Sequence, residues 1–202
     1  MPSYQRKDYY WQKAKEQGLP SRASFKIEEI LKRFPLVQSG DWVLDLGSSP
    51  GGWSLILTKS VKKQGRVLAL DLQTMNIQAE NLDFFQGDFH SEAAQNWLQE
   101  KLGQKKIKAL FSDMSPKLSG VFFKDAYDSY QLCLGALRLA KLYLKKGGHL
   151  VSKIFPGEEF PLYLQELKKN FAKVKTFEPQ ATRKSSREVY VLAMNYLDKE
   201  NN

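Results

Sequence analysis

The run Val43-Leu44-Asp45-Leu46-Gly47-Ser48-Ser49-Pro50-Gly51-Gly52-Trp53 passes from an apolar strand through a glycine turn into a helix start. A turn of this kind lets backbone N–H groups and a helix N-terminus approach a ligand closely. Its glycines match neither the dinucleotide spacing G-x-G-x-x-G nor a P-loop, because no Lys follows. Nicotinamide dinucleotides and nucleoside triphosphates are thereby disfavoured. Asp45 inside the first strand and a second strand, Arg66-Val67-Leu68-Ala69-Leu70-Asp71, that ends in an acid suggest a nucleoside whose ribose hydroxyls are held by a carboxylate.

Working outward from this pair, strands are expected over Trp42 to Leu46, Val67 to Asp71, Phe84-Phe85, Ala109 to Asp113, Leu150 to Ile154, Val174 to Phe177 and Val189 to Met194. Helical spacing covers Ala23 to Arg33 after a possible Ser21 cap, Ser54 to Lys62, Glu92 to Leu102, Asp125 to Lys145 and Pro161 to Asn170. Lys145-Lys146-Gly147-Gly148 is expected to stop the longest of these helices. Alternating strands and helices imply an α/β fold with a doubly wound, mostly parallel seven-stranded sheet. No helix separates the last two strands, so they form a hairpin and one strand runs antiparallel. Ligands of such sheets bind outside the carboxyl ends of the strands, where the glycine turn, Asp71 and Asp113 all stand.

The 202 residues suit one domain, with a basic N-terminal extension over 1–20 and a polar tail over 198–202. With 42% hydrophobic residues and 12% aromatics, a disordered class is excluded. Thirty-one basic against 22 acidic residues give a net charge of +9, which predicts attraction to a polyanion. The lone Cys133 sits in an apolar run and reads as buried filler, and two scattered histidines suggest no metal site. No stretch approaches the roughly 18 apolar residues of a membrane span, and the chain opens without a signal core. A cytoplasmic monomer that takes no metal and no membrane is expected.

Gln86-Gly87-Asp88-Phe89 follows a short strand, where an Asp beside an aromatic can bond an adenine amine while the ring flanks the base. Gly47, Pro50, Gly51, Gly52, Trp53, Asp71, Asp88, Phe89 and Asp113 are therefore the expected ligand contacts, and S-adenosylmethionine is the expected ligand. Asp113, in Ser112-Asp113-Met114-Ser115-Pro116, puts a carboxylate at the end of a buried strand, where a lone charge costs several kcal/mol without a partner or a task. Lys153 repeats the problem in Val151-Ser152-Lys153-Ile154-Phe155.

Together with Ser21-Arg22-Ala23-Ser24-Phe25-Lys26 and Ser186-Arg187-Glu188-Val189-Tyr190, these motifs occur in an order that resembles the FtsJ/RrmJ-like RNA ribose 2′-O-methyltransferases over nearly the whole chain. The resemblance implies a catalytic Lys-Asp-Lys-Glu tetrad of Lys26, Asp113, Lys153 and Glu188. It implies methylation of a uridine in large-subunit ribosomal RNA, within a ribosomal particle, as in bacterial members of similar size. Transfer RNA or a messenger RNA cap is the alternative target, and a non-catalytic ribosome-assembly factor is the alternative of another class. Lys117 after the Asp-Met-Ser-Pro motif and the pair Ser48-Ser49 depart from the family pattern.

The resemblance makes Lys153 the general base, which requires a neutral amine; Lys26 favours that form, Asp113 and Glu188 oppose it. The milder role for Lys153 is to orient and polarise the hydroxyl while Asp113 holds its amine. Lys168 to Arg187 carries seven basic residues against one acid, and the N-terminal arm adds more, interleaved with Tyr9, Tyr10 and Trp11. Arg6, Lys7, Lys13, Lys15, Arg22, Arg183, Lys184 and Arg187 are the expected RNA contacts.

Overall fold

Apolar residues on both faces of its strands oblige this sheet to be covered on both sides. The computed structural model describes residues 9–183 and 186–198. In chain order the elements are α1 (Tyr9–Glu16), α2 (Ala23–Arg33), β1 (Trp42–Leu46), α3 (Gly52–Val61), β2 (Arg66–Asp71), β3 (Leu82–Gln86) and α4 (Glu92–Leu102). They continue as β4 (Ile107–Ser112), α5 (Phe122–Tyr143), β5 (Leu144–Ile154), α6 (Phe160–Asn170), β6 (Phe171–Phe177) and β7 (Val189–Tyr196). The strands form one seven-stranded sheet of order β3-β2-β1-β4-β5-β7-β6. Only β7 runs antiparallel to its neighbours, inserted between β5 and β6.

Side chains alternate between the faces of a strand, and the core divides accordingly. Leu44, Leu46, Leu68, Leu70, Leu110 and Leu150 pack with residues of α4, α5 and α6. Val43, Val67, Ala109, Phe111, Val151, Tyr190 and Leu192 pack with Ile27 and Ile30 of α2 and with Trp53, Ile56 and Leu57 of α3. Replacing any of the fully buried leucines by Ala would cost about 2–5 kcal/mol.

Helix α1 was not expected. Its eight residues bury only Ala14, which packs with Phe25 and Ala181, while the Tyr10 ring lies 5.6 Å from that of Phe25. The N-terminal segment is thus docked on the body from Tyr9 onward. Ser21 does not cap α2: the flanking residue is Arg22, and among the described residues no side chain closes that end and the buried Ser21 Oγ has no partner. Helix α5 stops at Tyr143, two residues before the expected lysines, because Leu144 turns extended to bury its side chain. Lys145 to Gly148 instead form an irregular start of β5, with Gly147 at φ +75° and a register jump from Ile107↔Leu144 to Ala109↔His149.

One glycine has no room for a side chain between α3 and β2. A Cβ on Gly65 would lie 2.5 Å from the Asp41 carbonyl oxygen and 2.7 Å from that of Val61. Gly65→Ala should lower stability by about 1–3 kcal/mol through this overpacking, read as a drop in the thermal unfolding midpoint. An unchanged midpoint would show that the α3–β2 junction yields freely.

Candidate active site

The parity of the strands assembles the catalytic candidates. Positions 109, 111 and 113 on β4 and its exit, 151 and 153 on β5, and 190 and 192 on β7 share the face that α2 and α3 cover. Lys153 and Tyr190 are register partners across β5 and β7. Lys26 enters from α2, and Glu188 just precedes β7. Lys26, Lys153 and Glu188 are all buried.

The side chains form a continuous chain of contacts. Lys153 Nζ pairs with Asp113 Oδ1 at 3.1 Å and donates to the Asp113 carbonyl oxygen at 2.7 Å. The Tyr190 hydroxyl donates to the same Asp113 Oδ1 at 2.7 Å and accepts from Lys26 Nζ at 3.2 Å. Lys26 Nζ also pairs with Glu188 Oε1. Burial pushes the Asp113 carboxyl up, but the Lys153 and Lys26 cations and the Tyr190 hydroxyl outweigh it and hold it below the usual carboxylate range. Burial, then the Asp113 and Glu188 carboxylates, hold the Tyr190 phenol well above its ordinary value, so it stays a donor. The Trp53 ring lies 5.6 Å from that of Tyr190, tilted by 30°, and meets Phe111 edge-on at 6.2 Å.

Beside this chain, at the carboxyl ends of β1, β2 and β4, lies a cleft of about 430 Å³. It is lined by Leu46, Gly47, Ser49, Asp71, Leu72, Gly87, Asp88, Phe89, His90, Asp113 and Met114, among others. Gly47 has φ +71°, and a Cβ there would come within 2.8 Å of the Met114 backbone, so the loops after β1 and β4 meet through this glycine. The Asp71 carboxylate accepts from Ser49 N at 2.9 Å and Gln73 N at 2.8 Å, which fixes it at the cleft wall. Asp88 Oδ1 accepts from His90 N at 2.9 Å. The Phe89 ring is mostly buried against Gly135 of α5, with the His90 ring 3.8 Å from it.

Gly47, Asp71, Asp88, Phe89 and Asp113 therefore gather around one cavity. Pro50, Gly51, Gly52 and Trp53 do not line it. A Cβ on Gly51 would strike Ile77, and one on Gly52 would lie 2.6 Å from Ser21 Oγ and 2.8 Å from Ser24 Oγ, so Gly52 lets α3 start against α2. The expected RNA contacts are more dispersed. Lys13 Nζ lies 5.1 Å from the centre of the Phe25 ring, Lys15 Nζ 5.9 Å from that of Trp11, and the Arg187 guanidinium 4.7 Å from that of Phe122. Arg22 flanks α2 and Arg183 lies in the loop before β7. Arg6, Lys7 and Lys184 lie outside the described residues.

Sequence reasoning passed over Tyr190 and His90. The signal for Tyr190 was parity, since it stands two residues after Glu188 and faces the same way. Asp45, read with Asp71 as a sign of a nucleoside, does not line the cleft. It is fully buried, accepts from Ser54 Oγ at 2.6 Å, and leaves Oδ1 without a partner among the described residues. Burial pushes its carboxyl up to about 7; the Ser54 bond opposes this, and the Asp113 and Asp71 charges add to it. Among the described residues no cluster of three or more potential metal ligands occurs, and no helix is long and apolar enough to cross a membrane.

This sheet order, with a nucleoside-sized cleft at the strand ends and one antiparallel strand, defines a Rossmann-like methyltransferase. The fold agrees with a ribosomal RNA methyltransferase, described as putative, from Plasmodium falciparum (TM-score 0.79, 26% identity, 88% of this chain and 98% of that one). It also agrees with Aeropyrum pernix fibrillarin bound to S-adenosyl-L-methionine (TM-score 0.56, 15% identity, 85% of this chain and 76% of that one). The chain belongs to the FtsJ-like methyltransferase family, whose model matches residues 19–196. It is 37% identical to Ribosomal RNA large subunit methyltransferase E of Bdellovibrio bacteriovorus, over 96% of this chain and 98% of that protein. The protein of the same name from Desulfatibacillum aliphaticivorans is 42% identical, over 92% and 89%.

Because Asp45 holds its proton to about 7 in the fold and to about 3.8 otherwise, the native state binds the extra proton between these values. Stability contributed by that proton is present at low pH and is lost as pH rises from about 4 through 7. Asp45→Asn should match wild type near pH 4 and be more stable at pH 8, by on the order of a few kcal/mol. Parallel stability–pH curves for the two proteins would remove Asp45 as the titrating group.

Proposed function

We propose that the protein transfers a methyl group from S-adenosylmethionine to the ribose 2′-hydroxyl of RNA, with a uridine of large-subunit ribosomal RNA as its target. The observation that carries this reading is the buried chain of contacts Lys153–Asp113–Tyr190–Lys26–Glu188 beside a nucleoside-sized cleft. The names of the curated relatives support the target class.

The cleft residues suit the cofactor. The Asp71 carboxylate, held by two backbone N–H groups, keeps lone pairs for ribose hydroxyls. Asp88 would accept from the adenine amine, with Leu72 and the Phe89–His90 pair supplying apolar and ring surface. Three carboxylates at one cleft, Asp71, Asp88 and Asp113, complement a sulfonium cation. Pro50, Gly51, Gly52 and Trp53 act on this site through the shape of the turn and the start of α3. When bound, S-adenosylmethionine supplies the electrophilic methyl carbon of an in-line displacement.

The proton of the target hydroxyl falls to Lys153. Its nitrogen has three tetrahedral positions besides Cε, and two are turned to Asp113 Oδ1 and the Asp113 carbonyl. The third remains for the substrate. With the amine neutral it carries the lone pair that takes the hydroxyl proton, so Asp113 aims the base as well as compensating it. Lys26 and Glu188 hold the ribose, and Tyr190 fixes the distance between the two ion pairs. Arg187, Arg183 and Lys184 near Glu188, and Arg6, Lys7, Lys13, Lys15 and Arg22 near the N-terminus, would supply phosphate contacts. The substrate within this reading is the large-subunit particle, approached by a monomer in the cytoplasm.

Lys153→Ala should slow single-turnover methyl transfer to large subunits from cells lacking the protein by about a hundredfold to ten-thousandfold, with cofactor affinity nearly intact. Near-normal turnover in a folded Lys153→Ala protein would sink the assignment of the base. Asp71→Ala should weaken S-adenosylmethionine binding about tenfold or more, as expected for hydrogen bonds to a charged group. Calorimetry is the check, and unchanged affinity takes Asp71 out of the cofactor site.

A further inference from the structure

Where the loop after β4 leaves the cleft and enters α5, the surface changes character. Asp113, Met114 and Ser115 line the cleft; a few residues further on, Leu118, Val121, Phe122, Phe123 and Tyr127 are exposed. Phe123 is 67% exposed and Leu118 63%. Single exposed apolar side chains are ordinary, but five within ten residues form a patch, and a patch of that kind marks an interaction surface.

The patch is held in place. The Asp125 carboxylate accepts from Ser119 N and Ser119 Oγ, each at 2.7 Å, and from Gly120 N at 3.2 Å, which fixes the loop onto the first turn of α5. The rings of Phe122 and Phe123 meet edge-on with centres 5.5 Å apart. The patch is also continuous with the catalytic corner. Arg187, next to Glu188, sets its guanidinium 4.7 Å from the centre of the Phe122 ring. Lys117, exposed, precedes Leu118 in the same loop.

Exposed ring faces bordered by a guanidinium suit an unpaired nucleotide, whose base stacks while its phosphate meets the cation. A second copy of this chain, with a net charge of +9, would meet like charge at Arg187, whereas an RNA phosphate meets the opposite charge there. We infer that this rim is a stacking platform for an unpaired RNA base adjacent to the target nucleotide, with Phe123 as the principal ring. The inference rests on the RNA substrate proposed above. Its role is to hold the strand so that one ribose reaches Lys153; Phe123 positions RNA and takes no part in the chemistry.

The test uses the full chain with Phe123→Ala, Phe123→Leu and Phe123→Trp, and short single-stranded oligoribonucleotides carrying 2-aminopurine at one internal position. Stacking on a ring quenches that base. Wild type and Phe123→Trp should quench it, Phe123→Ala and Phe123→Leu should not, and both should bind the oligonucleotide about tenfold more weakly. With large subunits as substrate, the loss should appear in the half-saturating RNA concentration and not in the single-turnover rate at saturation. Equal quenching in all four proteins overturns the proposal. So does a Phe123→Leu protein with wild-type affinity, since apolar area alone would then suffice, or a wild-type dimer that Phe123→Ala dissociates without changing RNA affinity. If wild type methylated no ribosomal RNA, the target reading would fail on activity, while quenching and affinity would still decide the platform.

Discussion

Two amines and two carboxylates share one buried corner of this molecule, and none could stay there alone. Leaving a charge buried after removing its partner costs about 3–5 kcal/mol, a large fraction of the stability of a domain. The corner is tolerated because each amine has a carboxylate and the Tyr190 hydroxyl joins the two pairs, donating to Asp113 and accepting from Lys26. The register of β5 against β7 and the approach of α2 through Gly52 serve that one requirement. Buried ion pairs of this kind add little net stability over a well-packed apolar interior.

The opposite face of β5 shows how firmly the amine is held. Ser152 Oγ and the Tyr163 hydroxyl lie 2.7 Å apart, and Cys133 Sγ donates to the Lys153 carbonyl oxygen at 3.2 Å. Burial pushes the Cys133 thiol up to about 12, so it remains a donor and not a nucleophile. The backbone that carries Lys153 is thus braced from α5 and α6 while its side chain reaches Asp113 on the α2 side. Precision at a catalytic atom comes from such support on a rigid element.

Much of this was legible in the chain. The strand cores, the boundaries of α2 and α4 and the single antiparallel strand follow from local patterns, while the meeting of Lys26, Asp113, Lys153 and Glu188 was implied by the family resemblance alone. What escaped depends on contacts distant in sequence. Helix α1 is too short to hold by propensity and exists through Ala14 on Phe25 and Ala181. The end of α5 was misplaced because burial of Leu144 overrode the stop chemistry of Lys145 to Gly148. The close approach of α3 to α2 through Gly52 depends on Ser21 and Ser24, far earlier in the chain, which spacing within the glycine turn cannot show.

The strand order also imposes a schedule. The ribbon that carries Tyr190 is the last of the seven in chain order, yet it lies inside the sheet, between β5 and β6. A chain emerging N-terminus first therefore exposes the margins of both neighbours, and keeps Asp113 and Lys153 without Tyr190 and Glu188, until its final strand arrives. A nascent molecule therefore holds only part of its charged corner, and the sheet stays split until that closing strand has been made and threaded home.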